Sequence, residues 1–216
     1  MTASLDEIFS LDIDKALVPC AIESKLFGVG VESYTVASHE YALAYALTRG
    51  LVYCLDTGHF HPTEVVSAKL TAVLHFLPSV LLHLSRGVRW DSDHVAIFDD
   101  EMQRIMDEIV WNGLTERVYI GLDYFDASIN RVAAWAIGMR NARKALLSAC
   151  LAPAAAIREA ERAGDYTARL TLLEERRTLP LGSVWEYYCM TRGVPLDILP
   201  AIRRYERDVL AGRQGV

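Results

Sequence analysis

The stretch Leu51-Val52-Tyr53-Cys54-Leu55-Asp56-Thr57-Gly58-His59 sets an unbroken apolar run against a carboxylate, with an imidazole three residues further on. A continuous apolar run reads as a strand buried in a parallel sheet, where helices cover both faces. The pattern recurs on either side of it. Cys20-Ala21-Ile22 stops at Glu23, Val80-Leu81-Leu82 stops at His83, and Val118-Tyr119-Ile120-Gly121-Leu122 stops at Asp123. One run ending in Asp carries no message, because such a residue commonly serves the turn that follows. Four runs ending in Glu, Asp, His and Asp bring metal-ligand side chains to the carboxyl-terminal mouth of a parallel barrel, where such folds keep their chemistry.

Between the runs lie amphipathic helices, so the order is that of βα units. Residues 38–49 read as a helix with Tyr41, Ala44, Tyr45 and Thr48 on one side and Gly50 as its stop. A second opens at Pro62, a third at Asp99-Asp100 before a Met102, Ile105, Met106, Ile109 stripe, and an Ala-rich helix covers 128–150. Leu5 to Phe9 reads as the tail of a helix. The strands fall at about 19–23, 51–56, 79–84 and 117–123, four βα units where a (β/α)8 barrel needs twice that. The expected fold is therefore α/β, the second half of a TIM-type barrel over residues 1–152. From Pro153 the chain turns Arg- and Glu-rich and strandless, and residues 153–216 read as a helical extension, suited either to subunit contacts or to a solvated outer shell on the same subunit. Open sheet edges invite association.

Composition narrows the function. At 52% hydrophobic and 23% charged residues the chain is globular, and its net charge of −6 with no basic stripe argues against nucleic acid. No apolar run reaches the length of about 18 residues that spans a membrane, and residues 1–6 lack a signal-peptide pattern, so the reading is cytoplasmic. Cys20, Cys54, Cys150 and Cys189 show no paired spacing; Cys20 and Cys54 sit inside strand runs and read as small buried thiols.

Glu23, Asp56, His83 and Asp123 offer three carboxylates and one imidazole, a set that suits Mn²⁺, Mg²⁺ or Co²⁺. His59, with Asp91 and Asp93 from the Trp90-Asp91-Ser92-Asp93 loop, offers a second set near the first. Two cations a few ångströms apart can hold neighbouring oxygens of one substrate, such as those on the first two carbons of a sugar. Lys25, two residues past Glu23 and on the same face if the strand continues, can donate to an oxygen that gains charge. His61 reads as a loop-orienting residue and His75 as packing, with His39 and His94 not assigned as ligands. Glu64 is read either as a nearby base or as stabilising a helix start.

At these residues the chain resembles L-rhamnose isomerase. The resemblance rests on residues 23–28 (ESKLFG), 55–65 (LDTGHFHPTEV), 83–94 (HLSRGVRWDSDH) and 121–130 (GLDYFDASIN), with 164–169 (GDYTAR) and 184–189 (VWEYYC) in the tail. It implies interconversion of L-rhamnose and L-rhamnulose by a metal-assisted hydride shift on a (β/α)8 barrel, in a cytoplasmic homotetramer. It implies two divalent ions, Mn²⁺ foremost with Mg²⁺, Co²⁺ or Zn²⁺ as alternatives. Glu23, Asp56, His83 and Asp123 match the family's first metal site, and His59, Asp91 and Asp93 its second. Lys25, His59, Asp91 and Asp123 take the catalytic roles, with L-rhamnose and related sugars as partners. Family members are roughly twice this length, and the part not matched would supply the first strands and further sugar contacts. Two other readings are a metal-dependent epimerase or hydrolase on a related barrel, and an inactive fragment that needs a complementary N-terminal half.

Overall fold

The four apolar runs form β1 (Ala21–Glu23), β2 (Val52–Asp56), β3 (Val80–Leu84) and β4 (Val118–Leu122) in a computed structural model that describes residues 1–11, 14, 17–61, 63–88 and 93–213. They pair in parallel in the order β1-β2-β3-β4, with no reversal. Right-handed crossovers between strands laid down in sequential order put the connecting helices on one side of the sheet. That side is apolar: Tyr53, Leu55, Val80, Leu82 and Leu84 are buried and share a cluster with Leu70, Ile105, Met106 and Ile109 from the helices. The register aligns Glu23 with Cys54, Asp56 with His83, and His83 with Gly121. Since side chains alternate along a strand, Glu23, Cys54, Asp56, His83 and Gly121 all stand on the other face.

Helix starts follow side-chain caps, and this moves several expected boundaries. After α1 (Thr2–Phe9), which is longer than the 5–9 stretch, α2 (His39–Arg49) starts where Ser38 Oγ accepts from Tyr41 N and ends at Gly50 with φ +63°. Its buried side is Ala42, Tyr45 and Ala46, whereas Ala44 and Thr48 are exposed, so the buried face is turned from the expected one by about 100°, one residue along the helix. The next helix, α3, spans Ser67–Leu74 rather than opening at Pro62, a residue outside those described. Its cap comes from a distant helix: the Glu101 carboxylate accepts from Ser67 N at 2.9 Å and Ser67 Oγ at 2.8 Å. Glu64, no longer at a helix start, pairs with Lys69 at 2.6 Å. His75 caps the carboxyl end of α3 and is exposed, which removes the packing role expected for it.

In α4 (Asp100–Trp111) the Asp99 carboxylate accepts from Met102 N, as the sequence suggests. The long helix α5 (Arg131–Leu151) starts three residues later than expected, because Ser128 is tied to Asp126 and Asn130 provides the cap. Among the cysteines, Cys54 and Cys189 are buried, but Cys20 is only half-buried at the sheet's edge. Tyr119 and Ile120 on β4 are 52% and 43% exposed, so this strand is not covered on both faces as its apolar run suggested.

Beyond α5 come α6 (Ala154–Arg162), α7 (Tyr166–Glu175), α8 (Leu181–Thr191) and α9 (Leu199–Tyr205). No described helix is long and apolar enough to cross a membrane. The tail is joined to α4 by Arg176, which donates to both carboxylate oxygens of Asp107 at 2.9 and 2.5 Å and lies over the Trp111 ring at 4.9 Å. Both partners of this pair are almost wholly buried. Replacing Arg176 with Met leaves the Asp107 charge buried without its guanidinium. The variant is expected to lose about 3–5 kcal/mol of stability, read as a lower urea midpoint at unchanged slope. An unchanged midpoint would mean that the tail is not fastened through this pair.

Candidate metal centre

Because Glu23, Asp56 and His83 stand on one face of three neighbouring parallel strands, three of the strand-end ligands meet without any long loop. His83 Nδ1 lies 2.8 Å from Glu23 Oε1, 3.6 Å from Asp56 Oδ2 and 3.2 Å from Asp123 Oδ2. Asp123 stands just past β4, where its backbone N–H donates to the Leu84 carbonyl. Gly121 makes room for the histidine: a Cβ there would lie 3.2 Å from His83 Cδ2. Glu23, Asp56, His83 and Asp123 each present a ligand atom within 4.8 Å of the others.

A second group joins Asp56 with His59 and Asp93 under the same criterion. Asp56 therefore belongs to both, although the sequence placed it only in the first. His59 Nε2 is 3.4 Å from Asp93 Oδ1, while its Nδ1 is 3.0 Å from the Ser24 carbonyl. A carbonyl only accepts, so Nδ1, which also lies 3.7 Å from Glu23 Oε2, carries a hydrogen, and Nε2 is the atom turned toward Asp93. Asp91, expected beside Asp93, lies outside the described residues. Lys25 is not on a continued strand: β1 ends at Glu23, and Lys25 forms an antiparallel bridge with Ala37. Its charge nevertheless reaches Asp93. His61 is hydrogen-bonded to Thr63, and His94 bridges Arg86 through backbone.

Residues around these ligands, passed over in the sequence, hold them in place. Ser85 Oγ donates to Asp56 Oδ1 at 2.8 Å, and Gly58 N donates to the same oxygen at 2.6 Å. Thr57 Oγ1 donates to the Ser85 carbonyl and accepts from Ser85 N. Ser24, whose carbonyl engages His59, is itself hydrogen-bonded through Oγ to buried Tyr53, whose hydroxyl also meets His39 Nδ1 at 2.7 Å. Cys54 Sγ donates to Glu23 Oε1 at 3.2 Å. No local motif marks these partners; only the period-two rule, which puts Cys54 on the face of Asp56, points to one of them.

The electrostatics are those of a cation site. Burial pushes Asp56 above the usual carboxylate range despite help from His83, His59, Gly58 and Ser85. Burial also pushes Glu23 and Asp93 upward. For Glu23 it is outweighed by His83, His59 and Cys54, and for Asp93 by His59 and Lys25, so both end below that range. Burial disfavours the His59 cation, yet Asp93, Asp56 and Glu23 together raise it to about 9. Asp56 first, then Cys54 and Glu23, raise His83 to about 12. Asp56 Oδ2 is fully buried with no hydrogen-bond donor among the described residues. An orphaned buried carboxylate oxygen beside other oxygen and imidazole donors fits a divalent cation, which would do what the two imidazolium protons do.

The sign of the pH dependence follows. In chelator-treated protein, both histidines have pKa values above their unfolded value of about 6.5. Their contribution to stability is complete below that pH and is lost as pH rises through about 9 for His59 and about 12 for His83. Divalent cations compete with the same protons, so their affinity rises over this interval. Between pH 7 and 9 the metal-free melting temperature is expected to fall, while the increment on adding Mn²⁺ grows. An increment that does not change with pH would remove both histidines from the coordination shell.

A parallel sheet whose carboxyl-terminal ends gather carboxylates and imidazoles around a buried Asp56 defines an α/β protein with a candidate divalent-cation centre. The family model described as L-rhamnose isomerase (RhaA) matches residues 1–213. The chain is 55% identical over 215 residues to L-rhamnose isomerase of Escherichia coli O9:H4 (strain HS), covering 99% of this chain and 51% of that protein. It is 55% identical to that of Shigella sonnei (strain Ss046) and 54% to that of Escherichia coli (strain K12), with the same coverage. The chain belongs to the L-rhamnose isomerase family. It spans about half the length of the curated relatives it matches.

Proposed function

We propose that this chain carries the cation-binding and proton-handling part of an enzyme that interconverts L-rhamnose and L-rhamnulose. The observation that carries the reading is the Asp56-centred pair of ligand groups in a member of this family. Residues 1–152 form the second half of a (β/α)8 barrel in this reading. The sequential, all-parallel strand order supports it. Residues 153–216 form the extension that makes subunit contacts in a cytoplasmic homotetramer. An epimerase or hydrolase is not favoured, since the relatives are named L-rhamnose isomerase.

Glu23, Asp56, His83 and Asp123 hold one divalent cation and His59, Asp91 and Asp93 the other, Mn²⁺ ahead of Mg²⁺, Co²⁺ or Zn²⁺. When bound, the cations polarise the oxygens on the first two carbons of the open-chain sugar, the Lewis-acid assistance a hydride shift requires. Lys25 donates a hydrogen bond to the oxygen that gains charge. The Ser24 carbonyl keeps the His59 proton on Nδ1, so the ring orientation is set before substrate arrives. Asp91 and Asp123 take the remaining catalytic places.

Asp91→Ala combined with Asp93→Ala is expected to remove one cation per chain, spare the Glu23 group and abolish L-rhamnose turnover in the assembled enzyme. Elemental analysis and a ketose assay check it. Equal metal content in variant and parent would sink the two-cation assignment.

A further inference from the structure

Cys54 stands two residues below the layer of Asp56 and His83, on the same face, and in register with Glu23. Its Sγ is 3.2 Å from Glu23 Oε1, and Glu23, Cys54 and His83 each present a ligand atom within 4.8 Å of the other two. A second observation points to a cation at the same histidine: the buried Asp56 Oδ2, without a donor among the described residues, faces His83 Nδ1 from 3.6 Å. The sheet thus offers His83 and Glu23 two sets of companions. Asp56 and Asp123 are all-oxygen companions at the strand ends. Cys54 is a sulfur companion beneath them.

We propose that Glu23, Cys54 and His83 form an alternative coordination position for thiophilic divalent ions, Zn²⁺ and Cd²⁺, which there exclude the oxygen-preferring ion of the adjacent set. The inference deepens the proposed function and rests on its assignment of Glu23 and His83 as ligands. One thiolate, one imidazole and one carboxylate are a tetrahedral donor set with a place for water, the arrangement zinc and cadmium select, whereas Mn²⁺ and Mg²⁺ prefer carboxylates and water. Metal–sulfur and metal–nitrogen bonds of about 2.3 and 2.0–2.1 Å require the three donors to draw together. Rotation of the Glu23 and Cys54 side chains provides that movement. Binding exchanges the thiol proton of Cys54 and the imidazolium proton of His83 for the ion, and both protons leave to solvent. Because the two positions share Glu23 and His83, they cannot be filled together.

The test is a Cd²⁺ titration of the metal-free 216-residue chain, following thiolate-to-cadmium charge-transfer absorption, beside Mn²⁺ binding by electron paramagnetic resonance. The parent is expected to show one equivalent of the band that Cys54→Ser, which keeps a donor to Glu23, and Cys54→Ala both lack, with the Mn²⁺ affinity of each variant measured separately. The Cd²⁺ concentration that displaces half the Mn²⁺ should rise at least about tenfold in the variants, equivalent to 1.4 kcal/mol. A band that is absent in the parent, or unchanged in both variants, overturns the proposal while Mn²⁺ binding leaves the isomerase reading intact. A Cys54-dependent band in a chain that never binds Mn²⁺ supports the thiolate position and overturns the manganese assignment instead.

Discussion

Asp56→Asn is expected to weaken binding of both cations by at least about 100-fold, the upper end of what losing even an outer-shell partner costs a metal site. The reason is its double membership. Among the described residues, Asp56 is the one that the Glu23, His83 and Asp123 group shares with the His59 and Asp93 group. Asparagine is isosteric and still accepts from Ser85 Oγ and Gly58 N through Oδ1, so the fold around the strand end is kept. The charge is lost, and the amide that replaces Oδ2 donates where a ligand oxygen is needed. Turnover of L-rhamnose in the assembled enzyme should fall with the metal. Asp123→Asn provides the contrast, because Asp123 enters only the first group and should weaken one cation alone. Calorimetric titration with Mn²⁺ separates the cases: one cation retained at parental affinity in Asp56→Asn would show that the carboxylate is not shared.

The second large effect concerns completeness of the barrel. β1 and β4 are the edges of the sheet, and beside β4 the side chains of Tyr119, Phe125, Trp135 and Met139 are all about half exposed or more. Exposed apolar side chains beside an unpaired sheet edge suit an interface. Its burial contributes about 25 cal/mol per Å², and a stable interface removes at least about 1,000 Å² from water. The chain alone is therefore expected to self-associate or to be marginally stable, with little isomerisation of L-rhamnose. Supplying the other half of a family member should raise solubility and restore turnover to the range of about 1–10³ per second usual for enzymes. Sedimentation and a ketose assay, with and without that half, decide it. A stable monomer that isomerises at such rates unaided would overturn the half-barrel reading.

Much of this was legible beforehand because parallel strands advertise themselves locally. Runs ending at Glu23, Asp56, His83 and Asp123 needed only the rule that buried strands are continuously apolar and that barrel chemistry gathers at strand ends. Helix starts governed by a neighbouring side chain, such as Asp99 before α4, were equally readable. The start of α3 was not, because its cap is the Glu101 carboxylate, thirty-four residues away in sequence.

The residues alone determined the α/β class and four strands with carboxylates and imidazoles at one end. Tertiary structure decided what those ligands share. Strand register placed Asp56 opposite His83 and Cys54 opposite Glu23, turning two separate ligand sets into one centre that pivots on Asp56 and has a thiol beneath it. The orientation of His59 depends on the Ser24 carbonyl, thirty-five residues away. Register and such long-range hydrogen bonds arise from packing between elements, and no local pattern of residues encodes the distance between two strands that meet only after folding.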